Sequence, residues 1–330
     1  MLSASDLRGL YAIIPTPARP DANRFGAKNT VDLEETVRLV EALIQDGASG
    51  LITTGTTGEC ATLSSADFKT FVVCVLDTVK RRIPTFVGAT ALGSQEVAAR
   101  LDFVHEQGAD GTLLGLPMWQ PVTTGMAVEY YRGASEYRPD LAIMVYANAR
   151  AFRYNFPVEF WEGVAAKAKT VMSAKTSRPD DLIRKIELTG KRINFVPIDM
   201  QVQDFHAISP ETTTACWATA AAMGPQPCIA IMDAVRRNDR KAMDTLAADI
   251  AWANEPVLQL IHKPEVFAQL NIQVEKIRIE AAGYCRPGPV RSPYDEIPPD
   301  YAEASRECGR RWAQLCEKLK GTSLVQGTAA

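Results

Sequence analysis

Short runs of apolar or β-branched residues recur along the chain, with amphipathic stretches between them. They fall at residues 11–15, 50–54, 85–90, 111–116, 142–146, 171–175, 193–198 and 213–218. Most are continuously apolar rather than alternating, the pattern of parallel strands covered on both faces. Between the first two runs, Leu33, Val37, Val40, Leu43 and Ile44 form a stripe at helical spacing, with Glu34, Arg38 and Glu41 off it. That pattern predicts a helix capped by Asn29 or Thr30 and ended by Gly47. Ser64 and Ser65 open the next helix through Leu76, and Ser94 with Glu96 opens another through His105, stopped by Gly108.

Strands alternating with helices call for βαβ units and a parallel sheet, and eight such runs favour closure into a barrel over an open doubly wound sheet. No G-x-G-x-x-G follows the first run, which weighs against a dinucleotide fold. The expected class is therefore α/β: a (β/α)8 TIM barrel over residues 1–224. From Pro225 the strand pattern stops, and helices are predicted at 229–237, 240–261, 264–282 and 299–319, with a Pro-rich connector at 286–298. This is a C-terminal helical extension over 225–320, and the small or polar residues 321–330 are expected to be a disordered tail.

Composition agrees with an ordinary globular protein: of 330 residues, 46% are hydrophobic and 23% charged, enough apolar material for a large core. A net charge of −3 with acids and bases interspersed leaves no basic stripe for phosphates, so nucleic acid is not an expected partner. The N-terminus lacks a charged-then-apolar leader, and apolar stretches fall far short of the ~20 residues of a membrane helix. The expectation is a cytoplasmic protein acting on a small molecule. Seven cysteines include no C-x-x-C pair, and three histidines form no metal-site spacing, so no metal is expected.

In a barrel the reacting groups lie at the C-terminal ends of strands. The second run leads into Gly55-Thr56-Thr57-Gly58-Glu59, a turn rich in N–H groups and hydroxyls that suits a carboxylate, or serves only as a tight turn with capping threonines. The fifth ends at Tyr146, a phenol placed to exchange a proton or simply to pack. The sixth ends at Lys175, and lysine seldom closes a buried strand unless it is paired or functional. Burial disfavours the ammonium and lowers its pKa, leaving a neutral amine nucleophilic toward a ketone. The protonated imine so formed is an electron sink, allowing a bond at the neighbouring carbon to be made or broken.

Together these features resemble the N-acetylneuraminate lyase and dihydrodipicolinate synthase superfamily, in the order and spacing of nearly the whole barrel. The resemblance implies Lys175 as the Schiff-base residue, Tyr146 as general acid/base and Thr56 and Thr57 as binders of the pyruvate carboxylate. Glu59 is read as orienting the loop. Where the synthase has paired tyrosines this chain has Met118 and Trp119, so the intersubunit tyrosine relay is missing. The synthase's arginine for a second carboxylate has no counterpart at its spacing, although Arg150 and Arg153 lie in that loop.

A closer resemblance is to the aromatic hydratase-aldolases that cleave trans-o-hydroxy- or trans-o-carboxybenzylidenepyruvates in naphthalene and phenanthrene breakdown. It is carried by Gly58-Glu59-Cys60-Ala61-Thr62-Leu63, Pro117-Met118-Trp119, Tyr146-Ala147-Asn148 with Ala151-Phe152, and Asn271-Ile272 with Glu275-Lys276. It implies that Trp119, Trp217 and Asn271 line the aromatic end of the pocket; otherwise the tryptophans are core and Asn271 a solvated position. Ala149 stands where that branch has proline, and Thr176-Ser177 where it has a bulkier pair.

The resemblance implies a class I hydratase-aldolase that needs neither metal nor organic cofactor and assembles as a homo-oligomer, a tetramer by the family's habit. Arg150, Arg153 or Arg178 are candidates to meet an ortho carboxylate. The alternatives are an aldolase or dehydratase for an aliphatic or sugar-derived 2-keto acid, and a keto-acid-binding protein without turnover.

Overall fold

The structure, a computed structural model, describes residues 1–326. The strands β1 (Gly9–Ile13), β2 (Gly50–Thr53), β3 (Thr85–Gly88), β4 (Gly111–Leu114), β5 (Ala142–Tyr146), β6 (Val171–Lys175), β7 (Asn194–Val196) and β8 (Ala215–Ala218) pair in parallel in the order β7-β6-β5-β4-β3-β2-β1-β8. A bridge from Ile198 to Trp217, with the Trp217 N–H donating to Pro197 C=O at 2.9 Å, joins the two ends and closes the barrel. All eight apolar runs are strands; β5 and β6 have the expected bounds, and the others differ by a few residues at their ends.

The helices are α1 (Leu33–Gln45), α2 (Ser65–Val79), α3 (Ser94–Glu106), α4 (Thr124–Tyr137), α5 (Ala149–Phe152), α6 (Val158–Lys167), α7 (Leu182–Leu188), α8 (Val202–Ile208), α9 (Gln226–Arg236), α10 (Arg240–Ile261), α11 (Pro264–Ala282) and α12 (Pro299–Gln326). The cap of α1 differs from expectation. Asp32, rather than Asn29 or Thr30, accepts the Glu35 N–H at 3.0 Å, because Thr30 is committed to Asp67 through both its N–H and its hydroxyl. The buried face is also rotated: Leu33 and Val37 are exposed, while Glu35 lies inside with Leu39, Val40 and Leu43. Glu35 is tolerated there because Arg38 and Arg286 pair with it, which removes the cost of an isolated buried charge.

After β8 the chain is helical, and α10 and α11 have the expected bounds. Helix α12 runs on to Gln326, into the segment expected as a tail, and the rest of that expectation, 327–330, lies outside the described residues. The extension shares one apolar core with β1, β8, α1 and α2, in which Trp312 is fully buried and donates from Nε1 to Gly224 C=O at 2.9 Å. Helix α11 packs against α5, which brings the extension to the C-terminal rim of the barrel. Among the described residues no helix is long and apolar enough to cross a membrane, and no group of three or more His, Cys, Asp or Glu could hold a metal ion.

Candidate active site

Tyr146 and Lys175 are register partners at the last positions of β5 and β6, so the parallel pairing sets phenol and amine side by side at the C-terminal mouth. Lys175 is only 8% exposed. Its Nζ lies 3.3 Å from the ring centroid of Trp217 and 4.6 Å from that of Tyr146. Burial lowers its pKa to about 7; the negative charge of Glu275 opposes the shift and the positive charge of Arg150 adds to it. A large fraction of the amine is therefore neutral near neutral pH. Trp217 is held by its own Nε1–H, which donates to Thr176 C=O at 2.6 Å.

The Tyr146 hydroxyl lies 2.7 Å from Thr56 Oγ1, and the Asn148 amide donates to it at 3.3 Å. The phenol ring packs edge-on to Phe152 at 5.2 Å. Burial raises the phenol pKa, opposed by the bonds from Thr56 and Asn148, so the hydroxyl is neutral at physiological pH. Asn148 has a second duty: its Oδ1 caps α5 by accepting the Ala151 N–H at 3.1 Å. Thr57 is buried beside Thr56, and its hydroxyl has no protein partner among the described residues.

The turn carrying these threonines is tightly specified. Thr54 has φ +46° and Glu59 φ +55°, left-handed values that a β-branched residue such as Thr54 adopts only under constraint, at a cost of roughly 1–3 kcal/mol. The Thr54 hydroxyl is tied to Gly88 C=O at 2.9 Å. A Cβ on Gly58 would lie 2.7 Å from the Thr54 nitrogen, so only glycine lets the turn fold back on β2. Beyond it, the buried Glu59 carboxylate accepts the Arg291 N–H at 2.7 Å and Lys276 Nζ at 2.8 Å, and also meets Arg291 Nη1. Arg291 and Lys276 belong to the C-terminal extension, which thereby anchors the turn from outside the barrel.

Helix α11 adds a face of Phe267, Asn271, Glu275 and Arg278, spaced at successive turns. Glu275 is chelated by Arg278 through bonds of 2.7 to 3.0 Å, and Arg278 donates to Asn254 at 3.0 Å. Asn271 is half-buried, without a side-chain hydrogen bond among the described residues. Of the residues singled out in the sequence, Lys175, Tyr146, Thr56, Thr57 and Trp217 converge at the mouth, and Asn271 lies one turn before Glu275 on α11. Trp119 stands apart: it is 79% exposed on the loop after β4, with no aromatic contact among the described residues. The sequence alone assigns no role to Asn148 or Glu275; an Asn three residues before Ala151 is a visible cap signal, whereas nothing in sequence ties Glu275 to Lys175.

The model of the dihydrodipicolinate synthetase family matches residues 19–193. The chain belongs to that family. It is 37% identical over 321 residues to the trans-O-hydroxybenzylidenepyruvate hydratase-aldolase of Pseudomonas putida, covering 96% of each chain. It is 34% identical over 333 residues to the trans-2'-carboxybenzalpyruvate hydratase-aldolase of Nocardioides sp. (strain KP7), covering 97% of each. Among solved structures, PhdJ bound to substrate intermediate superposes with a TM-score of 0.92 at 33% identity, over 96% of this chain and 99% of that one. The family membership agrees with the barrel and helical extension expected from the sequence.

Proposed function

We propose that this protein is a class I hydratase-aldolase that converts an ortho-substituted trans-benzylidenepyruvate to an aromatic aldehyde and pyruvate. The observation that carries the reading is the buried Lys175 amine, with a pKa near 7, paired in register with a phenol hydrogen-bonded to the Gly55–Glu59 turn. Relatives matched along almost their whole length bear names of this activity, which supports the aryl substrate.

In the proposed reaction the neutral Lys175 amine attacks the C2 ketone, and the carbinolamine takes up a proton and loses water to give a protonated imine. The pyruvoyl carboxylate lies on the Thr56-Thr57 turn, where the Thr57 hydroxyl has no other partner. Water adds to the aryl-bearing C4 and a proton to C3. The phenol of Tyr146 then takes the C4 hydroxyl proton as it passes its own to Thr56 Oγ1, 2.7 Å away, and Thr56 hands its hydroxyl proton to the pyruvoyl carboxylate on the turn. The C3–C4 bond breaks, its electron pair enters the imine to give an enamine, and the aldehyde departs. Protonation at C3 and hydrolysis release pyruvate and the free amine. The imine supplies the electron sink, so the reading needs neither metal nor organic cofactor. It extends to a cytoplasmic homotetramer with Trp217 and Asn271 toward the aryl group, and with Trp119 reaching it only when its loop is folded over or covered.

Product analysis tests the proposal. Incubation with aryl and with aliphatic or sugar-derived keto acids is expected to yield aromatic aldehyde and pyruvate from the aryl compounds. Turnover of the aliphatic compounds alone, or binding with no aldehyde released, would contradict it.

A further inference from the structure

Arg150, on α5, stands at the rim of the mouth four residues beyond Tyr146. Its guanidinium carbon lies 4.7 Å from the ring centroid of the buried Phe267 on α11. The contact is with the aromatic ring and uses none of the guanidinium's N–H donors. Among the described residues those donors meet no carboxylate and no carbonyl. The two other arginines near the mouth are occupied: Arg153 donates to Met118 C=O, and Arg178 pairs with Asp180 at 3.1 Å on the surface. Loss of hydration lowers the pKa of Arg150, and its charge is felt at Lys175.

Helix geometry says what faces this cation. Asn271 follows Phe267 by one turn of α11, and Glu275, whose charge reaches Lys175, follows by another. A substrate fixed at Lys175 that ran along this face from Glu275 would pass Asn271 before Phe267, the ring on which the guanidinium rests. A carboxylate on the ring offers two oxygens to the fork of N–H donors and supplies the countercharge that the exposed guanidinium lacks. A neutral hydroxyl offers one acceptor and no charge.

We propose that Arg150 is a specificity-determining residue that takes an anionic ortho substituent, a carboxylate, so that the ortho-carboxylated benzylidenepyruvate is preferred over the ortho-hydroxylated one. The inference rests on the aryl-keto-acid reading above. It is tested by kcat/KM for both substrates in the wild type, Arg150→Met, Arg150→Gln and Arg150→Lys, with borohydride trapping of pyruvate on Lys175 in each.

The wild-type ratio, carboxylated over hydroxylated, is expected to exceed one. It should fall by roughly 10- to 100-fold in Arg150→Met, as for loss of a charge-assisted hydrogen-bonded pair, mainly through KM of the carboxylated substrate. Arg150→Lys should restore part of it. If Arg150→Met fails to fold, Arg150→Gln, similar in length and polar, carries the same expectation. A ratio unchanged by the substitutions, both substrates declining together as for a structural role, overturns the proposal, as does a wild-type preference for the hydroxylated substrate. Adduct formation without turnover of either aryl compound overturns the aryl reading and this proposal with it, and so separates the two failures.

Discussion

Glu59→Gln removes the carboxylate that Lys276 and Arg291 share beneath the Thr56-Thr57 turn. All three side chains are almost completely buried, and the pairs lie at 2.8 Å or closer. The glutamine carbonyl can still accept the Arg291 N–H, but its amide directs donors at two cations that no longer have a countercharge. Breaking a buried pair from one side costs about 3–5 kcal/mol, because the partner's desolvation is left uncompensated. With two partners stranded, the upper half of that range is expected, read as a drop in the urea-unfolding free energy at pH 7.

Lys276→Met in the same background removes one stranded cation, so the double variant should lose less than the sum of the single losses, by about 1–3 kcal/mol of coupling. Because the turn carries Thr56 and Thr57, KM for the keto acid should rise in the single variant more than kcat falls. A loss below about 1 kcal/mol in Glu59→Gln, or additive single losses, would refute the reasoning that a shared buried charge holds the extension to the turn.

Two further substitutions probe the chemistry. Tyr146→Phe keeps the ring packed on Phe152 but deletes the hydroxyl between Thr56 and Asn148; kcat for aldehyde release should fall about 10²- to 10⁴-fold while pyruvate still forms its imine. A loss under tenfold would remove the phenol from the reaction. Lys175→Met should raise stability at pH 7 by on the order of 4 kcal/mol, since the folded state holds at about 7 a group that titrates at 10.5 when unfolded. Between those values the unfolded chain binds the extra proton, so wild-type stability rises with pH and the variant's advantage shrinks toward pH 10.5. An advantage that grew with pH would contradict the assigned shift.

Much of this architecture is legible in the sequence, for a physical reason. Strands buried on both faces must be continuously apolar, so a lysine closing such a run is conspicuous. That is how Lys175 and Tyr146 stand out, and the eight-fold repeat implies the mouth that gathers them. The stripe of α1 misleads at Leu33 and Val37 because hydropathy cannot foresee that Glu35 goes inside once Arg286, far along the chain, pairs with it. The same limit hid Glu275 and the link from Glu59 to Arg291: each joins the barrel to the extension, and only packing makes the partners neighbours. Trp119 shows the converse, since its apolar bulk suggests burial while the chain leaves it exposed.

The central claim is that Lys175 forms the imine, and borohydride trapping with pyruvate followed by peptide mapping tests it most directly. The account predicts a reduced pyruvate adduct on Lys175, its rate of formation rising through pH of about 7 as the amine loses its proton. No adduct in Lys175→Ala with the fold intact should accompany it. No adduct in the wild type, or one on another lysine, would contradict the account.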